Sequence, residues 1–360
     1  MTGTVKQEQQ PARSEIDEVA PSVLRMQLPI QIPGLRHVNM YCLRDARGIA
    51  LIDPGLPDEA SWQAVQERLK QADFDVKHVH TVIVTHSHPD HFGGAARLHA
   101  ASGARVIAHE SFSIYGERPQ LAAAQHQHLE VSVEHLPPWP VLPAEQTAVP
   151  SRMYIPWGGD QPSTDDRDRR HWERIRASTS LSMVPPLTHV VRHDDVIELC
   201  DRKFRIVHSP GHTSDHICLL DLETGTLFSG DHVLPTITPH ISGLNKLQDP
   251  LQAFFDSLDL MLELRDVSKC LPAHGDLFLD LSGRVEAIKR HHNVRLNQLV
   301  DIARGFGKAA TVRDYSQALF PERAWGIMAD SETYAHLEHL RILGRAGSLR
   351  AEDGQLLYEA

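Results

Sequence analysis

At 360 residues the chain can bury a substantial core and has room for two or three domains, or for one large domain with an appendage. With 41% apolar and 23% charged residues it is neither a disordered nor a fibrous composition, and a formal charge of −11 argues against a general electrostatic grip on phosphate backbones. The 24 histidines point instead to metal or acid–base chemistry.

Residues 1–22 are polar and broken by Pro11 and Pro21, which predicts a loose N-terminal arm. This stretch lacks the apolar core of a signal peptide, and no run along the chain is long enough to span a membrane. A soluble, cytoplasmic protein is therefore expected. The cysteines Cys42, Cys200, Cys218 and Cys270 are widely spaced, with no CxxC pair. They read as reduced, buried small residues, although arithmetic alone leaves two disulfides open.

From Val23 the pattern becomes strand-like, and Val38–Leu43 followed by Gly48–Asp53 reads as strand, turn and strand. Asp53-Pro-Gly55 ends the second strand, so the Asp53 carboxylate either orients a ligand or caps the turn. Ser61 is placed to cap a helix running to Leu69, Val79–Thr85 is a strand, Gly93–Ala101 a short helix and Arg105–His109 another strand. Strands alternating with helices after a hairpin-like start predict a layered α/β domain with mixed sheets.

Regularity fades between 111 and 186. There Pro137, Pro138, Pro140, Pro143 and Pro150 precede a charged segment, and a long irregular stretch of this kind is expected to cover one face of the domain. Trp139, Tyr154, Trp157 and Trp172 would anchor it or line a cleft. Arg167, Arg169, Arg170, Arg174 and Arg176 form either a basic patch or a solvated face paired with Asp165, Asp166 and Asp168. Strand signals return at His189, Asp195, Phe204–His208, Ile217–Leu222 and Gly225–Ser229, and Pro250–Leu264 is an amphipathic helix. Beyond Leu281 three helical patterns (to Gly305, Val312–Phe320 and Glu332–Leu343) and a hairpin around Asp353-Gly354 suggest a small separate domain of winged-helix type.

The chemistry concentrates in Val82-Ile-Val-Thr-His86-Ser-His88-Pro-Asp90-His91-Phe-Gly-Gly94. An apolar strand delivers three imidazoles and a carboxylate within six positions, an arrangement costly to desolvate and orient unless a metal ion repays it. Three more candidates follow apolar segments beside glycines or small turns: His212 in Ser-Pro-Gly-His-Thr-Ser-Asp-His, Asp231 in Phe-Ser-Gly-Asp-His, and His274 in Leu-Pro-Ala-His-Gly. Five imidazoles and two carboxylates are too many for one tetrahedral ion and suit two ions that share a ligand. His109 and His208 read as core residues, His78 and His80 as solvent-facing, and His216 and His232 as support for a ligand or contacts to a substrate.

This set resembles the signature of the metallo-β-lactamase-fold hydrolases, His-x-His-x-Asp-His followed by a lone His, a bridging Asp and a final His. The resemblance implies a four-layer αβ/βα sandwich over 23–280, with His86, His88 and His212 on a first metal and Asp90, His91 and His274 on a second, bridged by Asp231. The classical β-lactamases carry Cys where this chain has Asp231, so antibiotic breakdown is not the expected role. Residues 281–360 resemble the winged-helix appendage of the β-lactamase-like-protein-2 (LACTB2-like) branch, as does Pro210-Gly-His-Thr-Ser-Asp-His216.

Two divalent ions, Zn²⁺ in preference to Fe or Mn, would lower the pKa of a bridging water and yield hydroxide at neutral pH, with Asp90 as the proton-handling residue. The expected reaction is hydrolysis of an ester, thioester or lactone bond of a small-molecule or acyl-thioester substrate. The alternatives are an endoribonuclease or phosphodiesterase, as that branch includes, and a DNA-binding regulator with a decayed hydrolase domain. Residues 281–360 carry 11 Lys or Arg against 10 Asp or Glu, a weak footprint for nucleic acid that suits packing or a homodimer contact better.

Overall fold

The computed structural model describes residues 5–32, 34–114, 155–158 and 184–359. A seven-stranded sheet runs in the order β1 to β7: Ile16–Ala20, Val23–Ile32, Leu35–Asp45, Gly48–Ile52, Val79–Ile83, Arg105–His109 and His189–Val191. Its first four strands pair antiparallel and the rest parallel, the mixed arrangement expected from the hairpin-like start. A second, five-stranded sheet has the order β12-β11-β10-β9-β8, built from Val196–Leu199 (β8), Arg202–His208 (β9), Ile217–Asp221 (β10), Thr226–Gly230 (β11) and Lys269–Pro272 (β12).

Both sheets are apolar on both faces, which is why their strands read as near-continuous hydrophobic runs. Along β3, Tyr41 and Leu43 point between the sheets while Met40 and Cys42 face the helices on the outside. Along β10, Ile217 and Leu219 point inward while Cys218 and Leu220 point out. This two-residue period divides the interior into three apolar layers. The first sheet's outer face is covered by α1 (Glu59–Gln71) and α3 (Ala95–Ser102), a one-turn helix α2 (Pro89–Phe92) lying just before the latter. The second sheet's outer face is covered by α4 (Pro250–Glu263) and α5 (Leu281–Phe306). The result is an αβ/βα sandwich. Helix α1 starts three residues before the sequence suggested, because the Asp58 carboxylate accepts from Ser61 N while the Ser61 hydroxyl accepts from Leu56 N.

The C-terminal region continues from α5 through β13 (Ala310–Thr311), α6 (Val312–Leu319), α7 (Ile327–Ile342), β14 (Gly347–Arg350) and β15 (Leu356–Glu359), with its strands in a third sheet ordered β13-β15-β14. Its apolar side chains, Leu296, Leu299, Tyr315, Leu337 and Tyr358 among them, belong to the same cluster as Phe254 of α4 and Leu227 of β11. Most of the expected cover, including Trp139, Tyr154, Trp172 and the arginines from Arg167 to Arg176, lies outside the described residues. Trp157 is described and buried, its ring 5.1 Å from that of Tyr334.

Residues 5–20 are not the loose arm their polarity suggested. Strand β1 joins the first sheet, and a single 3-10 turn at Gln7–Gln9 places Glu8 in a fully buried position. There its carboxylate accepts from the backbone N–H groups of Thr236 (2.8 Å) and Ile237 (3.1 Å) and from the Thr236 hydroxyl. The Gln7 carboxamide accepts from Asp276 N, and Arg13 pairs with the Asp276 carboxylate. Polar residues here satisfy loop backbone rather than water, a use that composition does not reveal. Glu8→Ala should therefore cost about 1–3 kcal/mol in denaturant unfolding by removing the acceptor of two part-buried N–H groups from a fully buried position. An unchanged urea midpoint would show that the segment is not docked.

Candidate metal centre

The candidate ligands all leave the ends of strands on one side of the sandwich. Strand β5 ends at Ile83 and runs through Thr85 into His86, and the carbonyl of Thr85 accepts from Ile217 N of the second sheet at 2.9 Å. Asp231 follows β11 directly and His274 follows β12 by two residues. Strand β3 fixes the latter, since Asn39 N donates to Ala273 O at 2.6 Å and Asn39 Nδ2 donates to Pro272 O and Gly275 O, each at 2.8 Å. Two glycines are needed where the chain is crowded. A Cβ on Gly94 would collide with the Pro54 carbonyl, and one on Gly230, at φ +51°, would stand 2.5 Å from His216 Nε2.

The structure brings His86, His88, His212 and Asp231 into one group and Asp90, His91 and His274 into another, the ligand atoms of each lying within 4.8 Å of one another. His88 Nδ1 is 3.0 Å from both His86 Nε2 and His212 Nε2. Asp231 Oδ2 is 3.5 Å from His212 Nε2 and 3.6 Å from His91 Nε2, while its Oδ1 is 3.2 Å from His274 Nε2. Asp231 therefore touches both groups. Asp90 Oδ2 is 3.5 Å from the Nε2 atoms of both His91 and His274.

The four separations of 3.5–3.6 Å fit metal ions better than they fit hydrogen bonds. Ligands at 2.0–2.2 Å from a tetrahedral ion stand about 3.3–3.6 Å apart, whereas an N–H···O bond spans about 2.7–3.2 Å. His91 Nε2, His274 Nε2 and Asp231 Oδ1 are accordingly buried without a hydrogen-bond partner. Such orphaned atoms are rare in the interior of a folded chain.

The electrostatics make the same demand. Burial, then the neighbouring His91 and His88, hold His86 well below its ordinary value, and burial with His212 pushes His88 down to about 3. Both are neutral, with lone pairs free for an ion. In the second group burial opposes charge, but the carboxylates win. Asp90, Asp231 and Asp53 hold His91 well above its ordinary value, and Asp231 and Asp90 raise His274. Conversely, burial raises Asp90 and Asp231, yet the imidazoles His91 and His274 hold Asp90 down to about 2 and Asp231 well below its ordinary value. Buried negative charge in this pocket calls for positive charge, and two divalent ions would supply it.

Four of the five imidazoles, those of His86, His91, His212 and His274, are aimed through their other nitrogen. His86 Nδ1 lies 3.0 Å from Thr85 Oγ1, and His91 Nδ1 2.9 Å from Asp53 Oδ2. Asp53 also accepts from Thr85 N and Thr85 Oγ1, so it orients rather than merely capping its turn. His212 Nδ1 meets the His240 carbonyl at 2.7 Å and His274 Nδ1 the His37 carbonyl at 2.6 Å. These two carbonyls escaped the sequence reading, because a backbone acceptor carries no residue-type signal. His216 Nε2 accepts from Asp231 N at 3.0 Å and so supports the shared carboxylate from behind.

Among the remaining histidines, His109 is buried and stacks on His208 with ring centroids 3.8 Å apart. His78 is exposed as expected, but His80 is not simply solvent-facing: its Nε2 turns toward Asp45 and Cys200. All four cysteines are free and buried.

The family model of the metallo-beta-lactamase superfamily matches residues 33–274, and the chain belongs to that superfamily. Within it, the chain is 31% identical over 200 residues to an acyl-coenzyme A thioesterase of Gallus gallus, covering 53% of this chain and 65% of that one. It is 28% identical over 166 residues to a beta-lactamase-like protein 2 homolog of Drosophila melanogaster, covering 45% and 52%. The match thus spans between half and two thirds of these relatives' own lengths. A solved beta-lactamase domain protein from Burkholderia ambifaria shares the fold at a TM-score of 0.73, with 24% identity and 98% and 96% of the two chains covered.

Asp53→Asn keeps a residue type that tolerates the φ of +56° found there but replaces one carboxylate oxygen with an amide donor. Metal affinity should fall by about 10–100-fold, and the metal-free chain should also unfold at a lower urea concentration because buried His91 loses a charged partner. Undiminished affinity in a metal titration would remove Asp53 from the centre. A second expectation concerns acid. Burial is the leading cause that lowers His37 and His336 to about 4 and His109 to about 3. All three are neutral when folded and take protons near pH 6.5 when unfolded, so the unfolded state binds more protons between about 6.5 and 4 and stability falls as pH drops through that window. The raised His91 and His274 act in the opposite sense, but their contribution is already nearly complete below pH 6.5. The metal-free chain should lose urea resistance steadily from pH 7 to 5, and a flat midpoint would contradict this account.

Proposed function

We propose that the protein is a dinuclear metal-dependent hydrolase acting on an ester-type bond, with an acyl thioester as the preferred substrate class. The observation that carries the reading is Asp231, one buried carboxylate facing imidazoles of both ligand groups. A pair of divalent ions, when bound, lowers the pKa of water toward neutrality and polarises the bond to be cleaved. Zn²⁺ suits the mixture of imidazole and carboxylate donors and needs no redox partner.

The chain's own residues then have distinct tasks. His86, His88 and His212 would hold one ion and Asp90, His91 and His274 the other, with Asp231 shared. Asp90 is held ionised throughout the neutral range and so can accept a proton beside the reacting water. His86, His91 and His274 are fully buried, whereas His88 is partly exposed and marks the side on which substrate enters.

The thioester preference is supported by the likeness to an acyl-coenzyme A thioesterase. The region from Leu281 onward, in the order helix, strand, two helices and a two-stranded hairpin, supports a winged-helix-type unit and placement in the β-lactamase-like-protein-2 branch. Its near-neutral charge favours packing over a grip on nucleic acid.

A panel of acyl-CoA thioesters, lactones, bis-p-nitrophenyl phosphate and single-stranded RNA should show thioester or ester turnover that falls more than about 100-fold in His88→Ala and Asp231→Ala, together with bound metal. Faster cleavage of the phosphodiester or RNA by the wild type would reverse the substrate assignment. Full turnover in both variants would remove the metal centre from the reaction.

A further inference from the structure

At the opposite end of the same strands lies a second convergence of ligand atoms, from Asp45, His80 and Cys200. Asp45 closes β3, His80 stands at the start of β5, and Cys200 sits in the turn between β8 and β9. His86 lies six positions after His80, so at about 3.3 Å per extended residue the cluster is on the order of 20 Å from the candidate catalytic centre.

The three side chains differ in chemistry and share one focus. His80 Nδ1 lies 2.9 Å from Thr81 Oγ1, which also accepts from Arg105 Nη2, so Nε2 is the nitrogen turned to the other two groups. Asp45 Oδ2 lies 3.4 Å from His80 Nε2, too long for an ordinary hydrogen bond. Cys200 Sγ lies 3.9 Å from it and donates its proton to the Leu43 carbonyl at 3.3 Å, leaving sulfur lone pairs for the cluster. For ligands on a tetrahedral zinc ion the expected separations are about 3.3–3.6 Å.

The carboxylate is held in place. Asp45 Oδ1 accepts from the N–H groups of Arg47 and Gly48, and Oδ2 is shared between the Arg47 guanidinium and His80. The Asp45 side chain is 1% exposed and the His80 side chain 21%, so a buried carboxylate stands beside a partly exposed imidazole. Cys200 and Asp201 are the two central residues of a tight hairpin, at φ +50° and +59°, a place where Asn and Gly are the locally favoured residues. Turn chemistry therefore gives no reason for a cysteine here.

We propose that Asp45, His80 and Cys200 bind a zinc-type divalent cation that ties the first sheet to the second at the end remote from the catalytic centre. Three protein ligands leave a fourth position for water. Burial pushes the Cys200 thiol up to about 12, so binding displaces its proton to solvent and leaves a thiolate on the ion. The ion would act structurally, joining the β3–β4 turn and β5 to the β8–β9 turn.

Cobalt titration of the metal-free full-length chain tests this, because neither group of the candidate catalytic centre contains a cysteine. The wild type should develop a near-ultraviolet thiolate-to-cobalt charge-transfer band and bind one more equivalent than Cys200→Ser, in which the band is lost. His80→Ala should lose the band as well, whereas His88→Ala, altered only in the catalytic set, should keep it. Absence of the band from the wild type, or its survival in Cys200→Ser, would overturn the proposal. The wild-type spectrum and His80→Ala keep the test decisive if Cys200→Ser folds poorly.

Discussion

The governing constraint is the burial of three carboxylates, Asp53, Asp90 and Asp231, among five imidazoles at the seam of two apolar sheets. Such a collection is stable only where every group is turned toward a partner of opposite character. Much of the surrounding architecture can be understood as meeting that requirement. The strand ends deliver the side chains, the inter-sheet contact through Asn39 and Tyr41 holds β12 in register with β3, and two carbonyls fix the directions of His212 and His274.

The centre is also tied to parts of the chain distant in sequence. The His240 carbonyl that aims His212 belongs to a residue whose ring faces Glu332 of α7 at 3.2 Å, and Glu332 in turn pairs with Arg295 of α5. Glu8 and Arg284 secure the same loop from other sides, through the backbone of Thr236, Ile237 and Leu234. A ligand near the front of the pocket is thus braced by helices that contribute no ligand themselves.

How much of this could be read from the sequence depended on whether a residue's type announced its task. The seven ligand candidates stood out because imidazoles and carboxylates at the ends of apolar runs are costly without a purpose, and the structure gathers all seven. The sheets were legible from short apolar runs alternating with helical patterns. Asp53 was visible as a carboxylate at a strand end, but its bond to His91 depends on a pairing between β4 and β5 that one strand alone cannot show. Residues 5–20 were misread because polar side chains that bond loop backbone look the same in sequence as polar side chains in water. His80 was misread for a related reason, since its neighbours Asp45 and Cys200 are 35 and 120 positions away.

The continuous apolar cluster beneath the second sheet bears on how the chain can be divided. Val207, Cys218 and Leu227 on that sheet share it with Phe254 and Leu258 of α4 and with Val285, Leu299 and Tyr315 beyond residue 280. A cut at the boundary the sequence suggests would not release a self-contained module but would strip the lining from a hydrophobic wall. Any fragment chosen for expression, or any recombination that exchanges this portion for another, must therefore supply a replacement oily surface of matching shape.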